Sequence, residues 1–327
     1  VLYELHVRDF SIDESSGISE ELKGKFLAFT EEGTTLPGND KIKTGVDHLK
    51  ELGITHVHLL PSYDYKTVNE LSLEPQFNWG YDPQNYNVPE GSYATNVLDP
   101  GTRIKEFKAM VEALHEAGIG VVMDVVYNHT YESLTSSFDL VVPGYYYRTS
   151  DDGRYLNGSG TGNEVATERP MVRKYIKDSV RYWAEEYHVD GFRFDLMGLI
   201  DVTTMTELTE ELRSQVDPNI LLYGEPWDAG TNGLPSGEQT KKGSQRDLGF
   251  AVFNDHFRGA IKGDSDGEGK GFASGATGQE EAILRGVKGA VEEFSNGPSE
   301  VINYVTAHDN LNLWDKFIYT QGLKDEV

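Results

Sequence analysis

An α/β fold of the TIM-type (β/α)8 barrel class is what the 327-residue sequence predicts, and three observations predict it. Short β-branched and apolar runs alternate with amphipathic helical stretches, the order that the βα units of a parallel sheet produce. The length suits one barrel of the usual size, about 250 residues, with long loops added. Polar residues recur just after the apolar runs, where a parallel barrel gathers its strand ends around one mouth.

Leu2 to Val7 is the first candidate strand. Ile42, Val46, Leu49 and Leu52 fall on one helical face, and Gly53 stops that helix with a left-handed cap. Thr55 to Leu60 is the strand that follows, closed by Pro61. Ile104, Phe107, Val111 and Leu114 mark the next helix, which ends at Gly118 and feeds the buried strand Ile119 to Val126. Pro170 opens a third helix with Val172, Ile176, Val180, Trp183 and Tyr187 in line, followed by a strand over Val189 to Phe194. Met205, Leu208, Leu212 and Val216 make a fourth face, which Pro218 breaks before the strand Ile220 to Tyr223. Ala251 to Phe253 and Ile302 to Val305 bring the candidate strands to seven, so the barrel is expected to be truncated before its eighth strand. The reading is one domain over 1–327 with long loops at about 61–100, 130–169, 226–249 and 262–280. The stretch from Gly263 to Gly278, rich in Gly, Ser and Asp, reads as a flexible rim loop.

Composition narrows the partners. With 29 Lys+Arg against 54 Asp+Glu, the net charge of −25 repels phosphate backbones and anionic bilayers, so neither nucleic acid nor a membrane is expected as a partner. The absence of Cys excludes disulfides, thiolate metal sites and a thiol nucleophile. No apolar run approaches the roughly 20 residues a membrane helix needs, and no basic-then-apolar signal segment opens the chain. A start at Val1, without an initiator Met, reads as a processed product or an excised fragment.

Four strand ends are polar: Asn128-His129, Arg193-Phe194-Asp195, Gly224-Glu225 and His308-Asp309-Asn310. Two His, one Arg and three acids around one mouth supply acid/base capacity and a cation to keep a carboxylate ionised. Cutting a glycosidic bond with retention needs one carboxylate as nucleophile and a second carboxyl that holds its proton until the leaving oxygen takes it. Asp195 suits the first role, since Arg193 lies two residues earlier on the same strand face and favours the ionised form. Glu225 suits the second, since its place between Gly224 and Pro226-Trp227 offers apolar walls that raise a carboxyl pKa, and Trp227 adds a face for a sugar. Asp124, inside an apolar run, needs a buried partner, and Arg193 is the candidate. His56 and His58 alternate on one strand and read as hydrogen-bonded core residues rather than metal ligands.

Asp124-Val125-Val126-Tyr127-Asn128-His129, Gly191-Phe192-Arg193-Phe194-Asp195, Gly224-Glu225-Pro226-Trp227 and Val305-Thr306-Ala307-His308-Asp309-Asn310 resemble, in order, the four motifs of the alpha-amylase family of glycoside hydrolases. The resemblance covers nearly the whole chain. Phe77-Asn78-Trp79-Gly80-Tyr81-Asp82-Pro83 is similar to the motif of the type I pullulanases within that family, with Phe77 where the motif usually has Tyr. The opening Tyr3-Glu4-Leu5-His6-Val7-Arg8-Asp9-Phe10 is similar to the family's first strand.

The resemblance implies a retaining debranching hydrolase that cuts α-1,6-glucosidic bonds in pullulan and related α-glucans. Asp195 would be the nucleophile, Glu225 the acid/base and Asp309 the stabiliser of the oxocarbenium-like transition state. It further implies that His129, Arg193 and His308 surround the ring at the cleavage point and that Trp79 and Tyr81 form an aromatic floor. Flanking β-sandwich domains, usual in the family, are absent from this stretch. No cofactor is implied as required; a structural Ca²⁺ is left open, with Asn128 and nearby carboxylates as candidate ligands. A polymeric substrate tilts the unassigned localisation towards an extracellular setting. The rival readings are an isoamylase, amylase or branching enzyme on the same machinery, and a non-catalytic glycan-binding barrel.

Overall fold

The computed structural model describes residues 1–72 and 76–322. Seven parallel strands form one sheet in chain order: β1 (Leu2–Leu5), β2 (His56–Leu59), β3 (Gly120–Val125), β4 (Gly191–Phe194), β5 (Leu221–Gly224), β6 (Ala251–Asn254) and β7 (Val301–Asn303). Each overlaps a strand expected from the apolar runs. The register places Arg193 opposite Asp124 on one side and Tyr223 on the other, which sets up the centre of the site.

Helices α1 (Gly45–Leu52), α2 (Pro100–Glu116), α3 (Pro170–Tyr187) and α4 (Val202–Gln215) precede β2, β3, β4 and β5 in turn; among the described residues β5 runs to β6 without a helix, α5 (Asp255–Lys262) and α6 (Glu280–Val287) both lie between β6 and β7, and α7 (Leu313–Gln321) follows β7. Their ends follow from local chemistry. Asp99 caps α2 by accepting from the Gly101 N–H, with Pro100 in the first turn. Asp201 caps α4 through the Thr204 N–H. Gly53 ends α1 at φ 68°, the left-handed conformation expected of it. No helix among the described residues is long and apolar enough to cross a membrane.

Three helical faces differ from expectation. Because α1 begins at Gly45, Ile42 lies instead on an antiparallel hairpin strand (Asn39–Lys43) and is exposed; Leu52 is exposed too, and Val46 and Leu49 carry the burial. On α2 the buried stripe is Phe107, Met110, Val111 and Leu114, while Ile104 sits off it. Val216 falls one residue beyond α4. The segment 61–100 is less irregular than expected, since Tyr63–Tyr65 and Pro83–Pro89 pair as an antiparallel hairpin. The Gly-rich stretch after α5 is also anchored rather than free. The fully buried Lys316 ammonium donates to the carbonyls of Asp264 (3.1 Å) and Gly267 (2.6 Å).

The main core lies between sheet and helices. Phe107 is wholly buried there, with its ring centroid 5.2 Å from Phe26, 5.4 Å from Trp183 and 5.2 Å from Tyr187. Rigid rings cannot collapse into a void, so Phe107→Ala is expected to cost about 3–5 kcal/mol, read as a lower urea midpoint at unchanged m-value. A second cluster, Val122, Tyr223, Ala251 and Phe253, fills the inner face of the sheet beneath the strand ends.

Candidate active site

Arg193 is the centre of the site. It projects from β4 with its side chain 3% exposed, and its Nη1 lies 3.0 Å from both oxygens of Asp124 on β3 and 2.9 Å from Asp195 Oδ1. Its Nη2 lies 2.6 Å from Glu225 Oε1. One guanidinium therefore faces three carboxylates. The expected Asp124–Arg193 pair is present, and Arg193 also touches Glu225, so its proximity does not by itself separate the two proposed roles.

Close strand packing makes the arrangement possible. A Cβ on Gly224 would lie 2.5 Å from the Phe194 carbonyl oxygen, so only glycine lets β5 approach β4 closely enough there. The Glu225 N–H then bonds that same oxygen at 3.1 Å. After Asp195 the chain turns sharply at Leu196, whose φ of 39° is left-handed, and the Leu196 N–H points at Glu225 Oε2 (2.8 Å).

Burial drives the Glu225 carboxyl up to about 8, helped by the Asp195 and Asp309 charges and opposed by Arg193 and the Leu196 N–H. The short contact to Arg193 would argue for an ionised Glu225. One positive charge cannot neutralise three buried carboxylates, however, and at Glu225 burial together with the Asp195 and Asp309 charges outweighs Arg193, so the proton stays there. Asp124 behaves oppositely. Burial pushes it up, but Arg193 and His58 outweigh that and hold it below the usual carboxylate range.

The Asn128 amide nitrogen donates to the Asp195 carbonyl (2.9 Å) and to its Oδ2 (2.8 Å), while its Oδ1 lies 2.6 Å from His129 Nδ1. Both ends of the amide are thus engaged, the nitrogen by Asp195 and the oxygen by His129. Among the described residues, Asp64, Glu70 and Glu90 each place a carboxylate oxygen within 4.8 Å of the others. Arg103 Nη2, 2.5 Å from Glu70, already supplies the counter-charge there. His129 Nε2 is 2.8 Å from the Tyr81 carbonyl, and burial lowers the imidazole pKa.

On the opposite wall, His308 stacks on Tyr81 (centroids 4.9 Å, 19° between planes) and meets the Trp79 edge at 5.2 Å. Its Nε2 faces Asp309 Oδ1 at 3.6 Å. The Asp309 side chain is 55% exposed, at the open side of a cleft of about 230 Å³ that Glu225, Trp227 and His308 also line. Trp79 is likewise solvent-facing, as a stacking floor requires. The nine residues singled out from the sequence therefore converge on one region.

Sequence reasoning missed Glu4, His58 and Phe253. Glu4 Oε1 is 2.9 Å from His308 Nδ1, His58 Nε2 is 3.1 Å from Asp124 Oδ2, and the Arg193 guanidinium lies 5.9 Å from the Phe253 ring centroid. The available signal was an acid inside the apolar strand Leu2–Leu5, and a His two residues from another on β2. His58 is buried and hydrogen-bonded as expected, while His56 is only partly buried at the lower end of the sheet.

Comparison with known proteins adds three findings. Residues 35–142 match the family model of the alpha amylase catalytic domain. The chain is similar to the pullulanase of Bacillus subtilis (strain 168), 44% identical over 98% of this chain and 45% of the relative. It is also similar to two solved structures. The pullulanase from Bacillus acidopullulyticus matches with a TM-score of 0.95 and 52% identity, covering all of this chain and 40% of that one. That of Paenibacillus barengoltzii in complex with maltohexaose and alpha-cyclodextrin matches with a TM-score of 0.94 and 48% identity, covering all of this chain and 51% of that one. The chain thus spans about half, or less, of the length of these relatives.

Proposed function

The chain belongs to the alpha-amylase family, and from that premise we propose that it is the catalytic part of a retaining hydrolase cutting α-1,6-glucosidic bonds in pullulan and related branched α-glucans. The observation that carries the reading is the buried pair held by Arg193, one carboxyl keeping its proton up to about pH 8 beside a second carboxylate on the same guanidinium. Retention needs the two carboxyls roughly 5–5.5 Å apart, which is the scale of two groups bound to the two ends of one guanidinium fork.

In the proposed reaction Glu225 gives its proton to the glycosidic oxygen as Asp195 attacks the anomeric carbon, forming a covalent ester and releasing the aglycone-side chain. Glu225, now a carboxylate, takes a proton from the water that displaces Asp195, and the two inversions restore the α configuration. Asp309 and His308 bind ring hydroxyls, Arg193 and His129 line the ring, and Trp79, Tyr81 and Trp227 offer aromatic faces. The chemistry requires no cofactor. We read the seven-stranded sheet as part of an eight-stranded barrel, and a polymeric substrate as favouring an extracellular setting. The α-1,6 preference rests on the Phe77–Pro83 stretch and on the pullulanase relatives; the other family activities keep the same three acids.

Assay on pullulan, amylose and glycogen, with the product anomer followed by NMR, tests this. Maltotriose released from pullulan in the α form is expected; cleavage of amylose alone would sink the α-1,6 assignment, and a β product would sink retention. A pH profile gives a second check. Glu225 must be protonated in the first step, so kcat/KM is expected to fall about tenfold per pH unit above about 8.

A further inference from the structure

Glu4 has no part in the reaction as described, yet it lies in the cleft and touches one of its walls. We propose that Glu4 is a positioning residue: by accepting the Nδ1–H of His308 it holds that imidazole doubly protonated, with Nε2–H directed at Asp309 and at a sugar hydroxyl bound beside it. This rests on the glycosidase reading above and extends it by one residue.

The geometry leaves Nδ1 a single strong partner. Glu4 Oε1 is 2.9 Å away, while the other neighbour, the Tyr81 hydroxyl, is at 3.4 Å and spends its own proton on Asp124 Oδ2 at 2.8 Å. Nδ1 therefore carries a proton in either charge state. In the neutral tautomer that follows, Nε2 would point a lone pair at the Asp309 carboxylate 3.6 Å away and could donate to nothing. A second proton removes the conflict, turning Glu4, His308 and Asp309 into an alternating row of carboxylate, imidazolium and carboxylate.

The charged and titratable groups facing this row come from the surrounding elements: Glu4 from β1, His58 from β2 (3.9 Å from Glu4 Oε1), Asp124 from β3, Arg193 from β4, Tyr223 and Glu225 from the end of β5, Asp255 and Arg258 from α5, Tyr81 from the 61–100 loop and Asp309 from the same loop as His308. Burial and Arg193 work against charge on His308, but Glu4 and Asp309 outweigh them and raise its pKa above the ordinary imidazole value. Burial likewise pushes Glu4 up, and the His308 bond with the surrounding His58 and Arg193 charges leaves it below the usual range. A ring-hydroxyl donor facing the oxocarbenium-stabilising acid is thereby kept to higher pH than an ordinary imidazole would keep it.

Long-range ¹H–¹⁵N NMR of the His308 ring, in the unaltered protein and in Glu4→Gln, tests the proposal without substrate; Gln keeps an acceptor for Nδ1–H but removes the charge. Turnover of pullulan at pH 5 and pH 7 completes the test. The unaltered protein is expected to show an imidazolium at pH 7 and the variant a neutral ring. The variant's rate relative to wild type is expected to be roughly 10–100-fold lower at pH 7 and largely restored at pH 5, where His308 protonates unaided. A neutral His308 at pH 7 in the unaltered protein overturns the proposal whether or not the variant folds. An equal loss at both pH values, with the ring still charged, overturns it as well, since that is a packing defect. A protein inactive on every α-glucan would remove the glycosidase reading, while the NMR result would still decide the role of Glu4.

Discussion

Glu225→Gln is expected to lower kcat by roughly a hundred- to ten-thousand-fold while making the protein harder to unfold above neutral pH. The rate loss follows from removing the proton that the proposed mechanism gives to the leaving oxygen. The stability gain follows from the sign of the shift. Folding raises the Glu225 pKa from 4.5 to about 8, so over that window the native state holds a proton the unfolded chain has lost. Unfolding free energy attributable to this group therefore falls as pH rises through the window and stays lower above it. Gln has the shape of the protonated acid and cannot ionise. Calorimetry should show no Tm difference near pH 4.5 and a higher Tm for the variant that levels off above about pH 8. A variant that melts lower at pH 9 would mean that the Arg193 ion pair outweighs burial.

Arg193→Leu is the second change with a large expected effect. It leaves Asp124, Asp195 and Glu225 buried around an apolar side chain, and stranding partners of a buried ion pair costs about 3–5 kcal/mol. Urea denaturation at pH 8 should show that deficit, shrinking towards pH 4 as the carboxylates accept protons. Arg193→Lys separates charge from geometry. It keeps the cation, so most of the stability should return, but a single ammonium cannot span Asp195 and Glu225 as the fork does. Turnover is therefore expected to stay depressed by up to about a hundredfold. Full activity in the Lys variant would reduce Arg193 to a point charge.

The elements that could be read from the sequence were those whose signal is local. Each strand was marked by its own apolar run, and α3 by five aligned apolar residues that are all buried. Ile42 and Ile104 misled because spacing alone cannot tell a face that meets the sheet from one that meets water, nor a hairpin from the first turn of a helix. The site was legible where motifs sit at strand ends. What remained hidden depends on residues brought together from far apart: Glu4 meets His308 across 304 positions, and nothing near either one announces the other. Nor could spacing show that Arg193 would bind Glu225 as tightly as Asp195, since that depends on the approach of β5 permitted at Gly224.

The turn at Leu196 has a bearing on how such a protein would evolve. A branched side chain in the left-handed region carries a strain of about 1–3 kcal/mol that Gly or Asn would relieve. That same residue aims its N–H at Glu225 directly after Asp195, so the strained link is also what ties one carboxyl to the other. Under selection for heat tolerance alone, position 225 would drift towards Gln, while Gly at position 196 would relieve the strain and still keep the backbone N–H that points at Glu225.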